Sequence, residues 1–309
     1  MRGPMNKKVL LTGGLGFIGR RTIQPLLDAG YEVHVVTSRR EVSIHANINL
    51  YRADLLECAT HRDLIHAIKP AYLLHTAWYT QHGKFWNAVE NTYWLSATIS
   101  LARAFYEAGG RRLLALGTCA EYDWSEGVCE EGKTPENPAT IYGQFKKYTL
   151  EALKLISQQY QGSLLWARIF FPYGPGESGE RLIPYVIQSL LKNQKAECTH
   201  GEQIRDFMHV DDIAEALVYL LGSKLEGVMN VGSGQGISIR DIAFRIADRL
   251  QGRDHILLGA KPEPAHSPAS IVAKVNRLQQ EAGWKPHYSL DQRLQETIEW
   301  WQKTIKERV

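Results

Sequence analysis

The segment IYGQFKKYTLEA places Tyr142 and Lys146 four residues apart in a stretch with helical periodicity. Residues at positions i and i+4 share one face of a helix, so these two side chains lie close together. A phenol, with an ordinary pKa of about 10, is a poor proton donor or base at neutral pH. A neighbouring ammonium and a positively charged nicotinamide would favour the phenolate and bring its pKa into a useful range. The pair alone is a weak signal, because exposed tyrosines such as the nearby Tyr148 are common on helices.

A hydroxyl group stands upstream of this pair, at the end of the apolar run RLLALGT. Thr118 closes that predicted strand, and doubly wound sheets bind their ligands at the C-terminal ends of their strands. Its hydroxyl would hold a substrate carbonyl oxygen beside the Tyr142 hydroxyl. Thr118, Tyr142 and Lys146 are therefore the predicted catalytic residues of a hydride-transfer site, in which a cofactor carries the chemistry and the protein orients it.

A glycine pattern near the N-terminus predicts where that cofactor binds. In VLLTGGLGFIG, Gly13 suits a tight turn, Gly16 lets the backbone approach a pyrophosphate, and Gly19 lets a helix lie close to a strand. The first N–H groups of the helix would then point at the anion. The GxxGxxG spacing is related to the dinucleotide fingerprint GxGxxG but differs from it. The predicted cofactor contacts in this turn are Thr12, Gly13, Gly16, Phe17, Ile18 and Gly19.

The end of the second predicted strand bears on which dinucleotide is bound. A carboxylate there would bind the ribose 2′-hydroxyl of NAD, but residues 37–40 read Thr-Ser-Arg-Arg. The hydroxyl of Ser38 and the guanidinium groups of Arg39 and Arg40 suit a 2′-phosphate, so NADP(H) is favoured over NAD(H). The alternative is a solvated basic turn. Asp54, followed by Leu55, is predicted to contact the adenine amino group, or else it caps the next helix.

Short apolar runs alternate with helical patterns through the first 170 residues. Predicted strands cover residues 9–13, 31–38, 48–55, 71–78, 112–118 and 163–170, and predicted helices lie near 17–29, 60–68, 87–108 and 139–160. Near-continuous apolar strands that alternate with helices are typical of a parallel sheet covered on both faces. The predicted fold class is therefore α/β: a doubly wound parallel Rossmann sheet with a smaller mixed α/β C-terminal substrate domain.

The alternation breaks after residue 171, where FPYGPGESGE forms a Pro/Gly loop and shorter elements follow. We predict an NADP-binding Rossmann domain over residues 1–170. Residues 205–233 are expected to return to it, through a helix near 211–222 and a strand over 227–233. Residues 171–204 and 234–309 form the predicted substrate-binding domain.

Composition excludes several classes of protein. The net charge of +3 and the scattered basic residues give no support to nucleic-acid binding. No apolar run approaches the roughly 20 residues of a membrane span. The four cysteines show no CxxC pairing or metal-ligand spacing, so we expect free thiols, no bound metal and a cytoplasmic location. The polar start MRGPMNKK is not expected to act as a signal peptide.

Taken in order, the motifs resemble those of the extended short-chain dehydrogenases/reductases that act on nucleotide sugars. The matching segments are TGGLGFIG, the ADL of 53–55, HTAW of 75–78, Asn91, YGQFK, YGP of 173–175, RDFMHVDDIAEAL of 205–217, NVGSG of 230–234 and AGWKP of 282–286. The resemblance covers nearly the whole chain. It implies a dinucleotide cofactor, a nucleotide-sugar substrate and a homodimer built from the helices near 87–108 and 139–160.

The resemblance also implies roles for particular residues. Its cofactor contacts are Thr76, Ala77, Trp78, Asn91, Tyr142, Lys146 and Phe170, and its substrate contacts are Trp78, Cys119, Glu121, Phe171 and Arg205. Arg205 would reach the nucleotide diphosphate, unless it forms a salt bridge to Asp211 or Asp212. Two departures bear on this substrate. Phe171 stands where many members have an asparagine, and KPEPAHSPAS (261–270) lacks a second arginine, for which Lys261 or His266 would have to substitute.

An aromatic segment follows the fourth predicted strand. Its members are Trp78, Tyr79, His82, Phe85 and Trp86. They would line a sugar pocket, or else they form a plain aromatic packing cluster.

The residues after Thr118 bear on which reaction of the family is performed. Dehydratases that resemble this chain carry an Asp-Glu pair there, whereas this chain has Cys119, Ala120 and Glu121. Elimination would lack its acid at Ala120. An NADP preference fits net reduction, so we predict NADPH-dependent reduction of a keto group, at C4, on a nucleotide-activated deoxysugar. The alternatives are a nucleotide-sugar 4-epimerase and a non-catalytic NADP-binding sensor.

Overall fold

The computed structural model describes residues 6–38, 47–263 and 267–307. Its strands are β1 (Lys8–Thr12), β2 (Glu32–Thr37), β3 (Asn49–Arg52), β4 (Tyr72–His75), β5 (Arg112–Thr118), β6 (Val128–Cys129), β7 (Ser163–Ile169), β8 (Phe171–Tyr173), β9 (Ala196–Glu197), β10 (Ile204–Arg205), β11 (Phe207–His209), β12 (Gly227–Val231), β13 (Ile237–Ser238), β14 (Ile256–Leu257) and β15 (Ser270–Ala273). Its α-helices are α1 (Gly19–Asp28), α2 (His61–Ile68), α3 (Glu90–Glu107), α4 (Ile141–Gln159), α5 (Leu182–Leu191), α6 (Val210–Gly222), α7 (Ile239–Leu250) and α8 (Leu290–Lys306).

Seven of these strands form one parallel sheet in the order β12-β7-β5-β4-β1-β2-β3. The order reverses direction between β1 and β4, which is the switch point where sheets of this kind bind ligands. The α/β doubly wound fold is thereby confirmed. The predicted strands and helices of the first 170 residues are also confirmed, with ends that differ by a few residues.

The two faces of the sheet explain why its strands read as continuous apolar runs. Val9 and Leu11 of β1 lie in a core shared with α1 and α6, whereas Leu10 between them lies in a core shared with α2, α3 and α4. All three side chains are fully buried. Because successive strand residues point to opposite faces, a strand covered on both sides cannot alternate between apolar and polar residues.

The later part of the chain adds a second sheet and a third apolar core. Strands β13, β10, β15 and β6 form a four-stranded sheet in that order. The third core lies among α5, α7 and α8 and includes Val186, Ile246 and Trp301. Strand β12 instead joins the main sheet beside β7. The predicted boundaries of the two domains stay a prediction.

Within the described residues, no helix has the length and apolar character needed to cross a membrane. The same residues contain no cluster of histidine, cysteine and acidic side chains that could hold a metal ion.

Candidate active site

The three predicted catalytic residues converge on one edge of the main sheet. Thr118 ends β5, where its extended backbone leads into a short 3-10 turn, and its hydroxyl accepts from the Ala120 N–H at 3.2 Å. Tyr142 and Lys146 lie one turn apart on α4, and both side chains are buried. Thr140 caps this helix by accepting from the Gly143 N–H, which fixes where the first turn begins.

Helix α4 lies unusually close to the turn after β5. A Cβ atom at Gly143 would stand 2.1 Å from the Ala120 carbonyl oxygen, so only glycine allows this approach. The close contact brings Tyr142 against Ala120 and Phe85 in a small apolar cluster. The glycine that follows Tyr142 thus helps to hold the phenol at the strand end.

The surroundings of Tyr142 raise its pKa, which is the opposite of the lowering expected from the sequence. Burial is the main cause, and the interacting Thr118 side chain and the charge of Arg181 act in the other direction. Rings surround the phenol, because Phe85 and Trp86 both meet it edge-on, at centroid distances of 4.9 and 5.9 Å. In the protein alone, Tyr142 is therefore a protonated phenol, which is the form that donates a proton.

The ammonium group of Lys146 is held from two sides. Its Nζ donates to the Leu116 carbonyl oxygen at 2.7 Å and lies 3.8 Å from the centroid of the Trp78 ring. Burial lowers the pKa of Lys146 to about 7, against a smaller raising effect of the Glu121 charge. The amine therefore lies one helical turn from Tyr142, on the Leu116 and Trp78 side of the site.

The glycine turn fits the pyrophosphate of a dinucleotide. Gly13 has a φ of +66°, and a Cβ atom at Gly19 would stand 2.2 Å from the Gly13 carbonyl oxygen. Gly16 is exposed at the mouth of the turn, next to the start of α1, whose first turn has no acidic residue. An exposed backbone at the N-terminus of a helix is a binding site for anions. Phe17 and Ile18, half-buried, complete this turn.

Thr12, predicted as a cofactor contact, instead connects β1 to β4. Its hydroxyl is 2.8 Å from Nδ1 of His75 and accepts from the Ala77 N–H, while Nε2 of His75 is 2.9 Å from the Thr98 hydroxyl. Burial lowers the pKa of His75 to about 3, so the imidazole is neutral. No sequence pattern indicated this network, which fixes the strand end on which Thr76 and Ala77 lie against Gly13.

The adenine end of the predicted site is described only in part. Ser38 follows β2 and is exposed, whereas Arg39 and Arg40 lie outside the described residues, as does His266. Asp54 is exposed and its Oδ1 accepts from the Leu56 N–H, which is the arrangement of a turn cap. Leu55 beside it is buried. Asp54 therefore stabilises a local turn and does not cap the next helix, whose N-terminal residues Glu57 and Thr60 make no side-chain cap.

Glu121 lies in a different place from the one expected of a substrate contact. Its carboxylate accepts from Nε of Arg168 at 2.7 Å, from Nε1 of Trp166 at 3.0 Å and from the Thr118 N–H at 2.8 Å. Both Glu121 and Arg168 have no exposed surface. Burial lowers the pKa of Arg168, but Glu121 and the neighbouring Tyr122 and Glu136 together raise it, so the guanidinium keeps its charge. Burial raises the pKa of Glu121, and Arg168 acts in the opposite direction. The sequence pattern gave no sign of Arg168.

Asn91, a predicted cofactor contact, also makes its side-chain hydrogen bonds within the protein. Its amide donates to the carbonyl oxygens of Phe85 and Ala88, and its Oδ1 accepts from Nε1 of Trp78 at 2.8 Å. The side chain is fully buried. Asn91 thus ties the aromatic segment after β4 to the start of α3 and fixes the Trp78 ring above Lys146.

Arg205 and Phe171, both predicted substrate contacts, lie together. The Arg205 guanidinium stands 5.6 Å from the Phe171 ring centroid and donates to the Ser267 hydroxyl at 3.2 Å. The alternative salt bridges do not form, because Asp212 pairs with Arg293 and Asp211 with Arg21.

The segment that carries Arg205 is fixed by its neighbour Asp206. This buried carboxylate accepts from the N–H groups of Ser233, Gly234 and Ala273 and from the Ser233 hydroxyl. These bonds connect the RDF segment, which supplies the acceptor, to NVGSG and β15, which supply the donors. The RDF pattern indicated a role for Arg205 but none for Asp206.

Two further predicted contacts are buried. Phe170 lies in the main core, with its N–H donating to the Val231 carbonyl oxygen at 3.2 Å. Cys119 is buried beneath Trp124, whose Nε1 donates to the Cys119 carbonyl oxygen, and burial raises the pKa of the Cys119 thiol.

A doubly wound sheet with a glycine turn after β1 and a Thr118, Tyr142 and Lys146 group at its ligand-binding edge defines an extended short-chain dehydrogenase/reductase. Comparison with known proteins gives the family. The chain belongs to the NAD dependent epimerase/dehydratase family, whose profile matches residues 9–232.

Relatives of known activity and solved structures resemble the chain over nearly its full length. The UDP-glucose 4-epimerase of Streptomyces lividans is 27% identical over 310 residues, which covers 91% of this chain and 92% of that protein. The UDP-glucose 4-epimerase of Thermotoga maritima, solved with UDP-glucose, has a TM-score of 0.86 at 20% identity and covers 96% of this chain and 99% of its own. MoeE5, solved with UDP-glucose and NAD, has a TM-score of 0.84 at 25% identity with the same coverage.

Proposed function

We propose that this protein reduces a keto group, at C4, of a nucleotide-activated deoxysugar with NADPH. The observation that carries the choice of a reductase is the end of β2, where Thr37, Ser38, Arg39 and Arg40 stand in place of a carboxylate. Guanidinium groups at this position favour the 2′-phosphate of NADP. A reduced cofactor that enters and leaves at each turnover suits net reduction.

The turn after β5 argues against dehydration. Elimination needs an acid to protonate the leaving hydroxyl and a base to remove a proton from carbon. Ala120 has no acidic group, and the carboxylate of Glu121 is fully buried in its ion pair with Arg168. Tyr142 is left as the proton-transferring side chain of this strand end.

The three catalytic side chains account for the reduction. NADPH bound at the glycine turn after β1 would supply the hydride to the keto carbon. Tyr142 donates its phenolic proton to the oxygen of that carbon, so that a hydroxyl group forms and a phenolate remains. Thr118 positions the same oxygen, and Lys146 binds the cofactor ribose and stabilises the phenolate by its charge.

Arg205 and the space beside it support a nucleotide sugar as the substrate. A cleft of about 590 Å³ opens between the loop after β5 and the segment that leads into β15. It is lined by Asp123, Trp124, Ser125, Gly127, Asn137, Pro138, Ala139, Pro268, Ala269 and Ser270. Arg205 donates to Ser267 at the border of this segment, where a guanidinium would meet a diphosphate. The UDP-glucose in the solved MoeE5 and Thermotoga maritima complexes supports the same class of ligand.

NADPH oxidation screened against keto-deoxysugar nucleotides with different bases tests this function. We expect one equivalent of NADPH to be consumed for each hydroxyl group formed, and NADH to be a poorer donor. Replacing Arg39 and Arg40 by alanine is expected to raise the KM for NADPH at least tenfold while that for NADH changes little. An unchanged ratio would remove the basis for the NADP assignment.

A 4-epimerase is the second candidate, and it is supported by the full-length match to the Streptomyces lividans UDP-glucose 4-epimerase. An epimerase keeps its cofactor through a cycle of oxidation and reduction, so denaturing the purified protein distinguishes the two. Stoichiometric NAD in the supernatant would favour the epimerase and contradict the reductase.

A sensor without catalysis is the weakest alternative, because Thr118, Tyr142 and Lys146 are all present.

We also propose a homodimer. Helices α3 and α4 pack side by side and expose apolar side chains, namely Val89 just before α3, Tyr93, Ile141, Tyr148 and Leu155. Light scattering at working concentration tests this arrangement.

A further inference from the structure

Two loops beside the aromatic residues around Tyr142 carry polar atoms that the proposed reaction does not use. In the loop after β8, Oε2 of Glu177 is buried and has no hydrogen-bond partner in the described part of the chain. In the loop after β4, Nδ1 of His82 is buried and unpartnered in the same way. Buried polar atoms without a partner cost free energy and are rare in native proteins. Both groups interact with the same arginine, Arg181, and a polar ligand beside it would supply the missing hydrogen bonds.

Arg181 connects both atoms to the reacting phenol. Its Nε lies 3.8 Å from Oε1 of Glu177, and its guanidinium stands 6.0 Å from the Phe85 ring centroid. Phe85 in turn meets Tyr142 edge-on. The charge of Arg181 acts on the pKa of both His82 and Tyr142, lowering each. Arg181 therefore lies close to both loops, on the Phe85 side of the Tyr142 ring.

The chemistry of this group suits an uncharged hydroxylated ligand. The Glu177 side chain is 5% exposed. Burial raises the pKa of Glu177 to about 8, although Arg181 and the Gly174 backbone act in the opposite direction. A protonated carboxyl group both donates and accepts hydrogen bonds, and so does a sugar hydroxyl. The imidazole of His82 adds a hydrogen-bond donor or acceptor. The guanidinium of Arg181 adds several N–H donors.

We propose that Glu177, His82 and Arg181 form a subsite that binds a sugar hydroxyl group next to the carbon that reacts at Tyr142. The inference rests on the proposed function, because it requires a nucleotide sugar at this site. The subsite selects the sugar by its hydroxyl pattern and takes no part in proton or hydride transfer. Specificity of this kind is strong because a sugar that lacks the hydroxyl leaves buried polar groups unpaired.

Calorimetric titration with UDP-glucose, dTDP-glucose and CDP-glucose, and with the matching nucleoside diphosphates, tests the subsite. For the nucleotide sugar that the wild type binds best, Glu177→Ala is expected to raise the Kd about tenfold, with His82→Ala changing it in the same direction. Glu177→Gln should stay within about threefold of the wild type, because an amide still donates and accepts. Glu151→Ala, an exposed glutamate on α4 away from both loops, is the control and should leave the Kd unchanged.

The Kd values of the nucleoside diphosphates and of NADPH distinguish a sugar subsite from other roles of Glu177. Their Kd values should not change in Glu177→Ala, since neither carries the sugar that the subsite binds. An equal loss for the diphosphate or for NADPH would overturn the proposal, as would a Glu177→Ala protein that binds the nucleotide sugar as well as the wild type. If the wild type binds neither the three nucleotide sugars nor their nucleoside diphosphates, the assignment of a nucleotide-sugar substrate fails and the subsite fails with it, a result distinct from a loss confined to Glu177→Ala.

Discussion

Arg168 and Glu121 form a 2.7 Å ion pair directly behind Thr118, and neither side chain has any exposed surface. The pair links β7 to the turn after β5, and Glu121 also accepts from the Thr118 N–H. Glu121, which the sequence pattern assigns to substrate binding, thus fixes the backbone of the predicted catalytic residue Thr118. Arg168 is 47 positions from Glu121 in the chain, so no local sequence pattern indicates this pair.

Breaking this pair should be costly. Arg168→Met leaves the Glu121 carboxylate buried without its cation, and we expect the free energy of unfolding to fall by about 3–5 kcal/mol. Combining it with Glu121→Gln should restore part of the loss. Chemical denaturation measures the free energy of unfolding of both variants. The control is Glu151→Gln, which removes one partner of an exposed ion pair with Lys154 and should lower the free energy of unfolding by no more than about 1 kcal/mol. A cost for Arg168→Met as small as that of the control would contradict the assigned role.

Tyr142→Phe removes the proton donor and keeps the ring. We expect kcat to fall by a factor of about 10²–10⁴, the usual contribution of general acid–base catalysis, with little change in the Kd for NADPH. Tyr148→Phe removes a phenol from the same helix at a position that is 51% exposed, and its kcat should match the wild type. Steady-state kinetics and fluorescence titration provide the measurements. Full activity in Tyr142→Phe would point to a sensor or to another proton donor.

The buried amine of Lys146 should make stability depend on pH. Its folded pKa of about 7 lies below the value of about 10.4 for a lysine in an unfolded chain. Between these values the unfolded chain binds more protons, so the stability of the wild type rises with pH across this window. Lys146→Met removes the effect. The unfolding free energy of the wild type minus that of Lys146→Met should therefore increase from pH 7 to pH 10, on the order of 1 kcal/mol or more.

Urea denaturation at several pH values measures this difference. Lys154→Met, on the same helix with a side chain that is 41% exposed, controls for the loss of a lysine from α4. A difference that stays flat or falls between pH 7 and pH 10 would show that Lys146 is not held in a buried, cation-destabilising environment.

Gly19→Ala should disrupt the dinucleotide site. The added Cβ atom would stand 2.2 Å from the Gly13 carbonyl oxygen and 2.6 Å from the Thr76 hydroxyl, so the turn or the start of α1 must move. We expect the Kd for NADPH to rise at least tenfold. Gly222→Ala, whose Cβ would make an ordinary contact of 3.5 Å with the Tyr31 hydroxyl, is the control. Unchanged NADPH affinity in Gly19→Ala would mean that the cofactor does not use this turn.

Local patterns predicted the main sheet well, because each of its strands is an apolar run bounded by a turn. The run VLLTG became β1, and RLLALGT became β5 with Thr118 at its end. The same reasoning placed Tyr142 and Lys146 on one helix face, since their spacing is a property of the helix itself.

What the sequence could not supply are partners brought together by the fold. Thr12 reads as part of a phosphate turn, yet its hydroxyl is committed to His75 on the neighbouring strand. Asn91 and Glu121 match family positions, but their side chains satisfy buried donors and acceptors inside the protein. Glu177 gave no signal, because a glutamate in a glycine-rich loop is ordinarily solvated, and only the packing of that loop buries it.

The most direct test of the proposed reductase measures NADPH consumption and product formation together, with a 4-keto-6-deoxysugar nucleotide as substrate. We predict that the protein is purified without stoichiometric bound NAD and consumes one NADPH for each C4 hydroxyl formed. Tightly bound NAD, with interconversion of C4 epimers and no net consumption of NADPH, would contradict it.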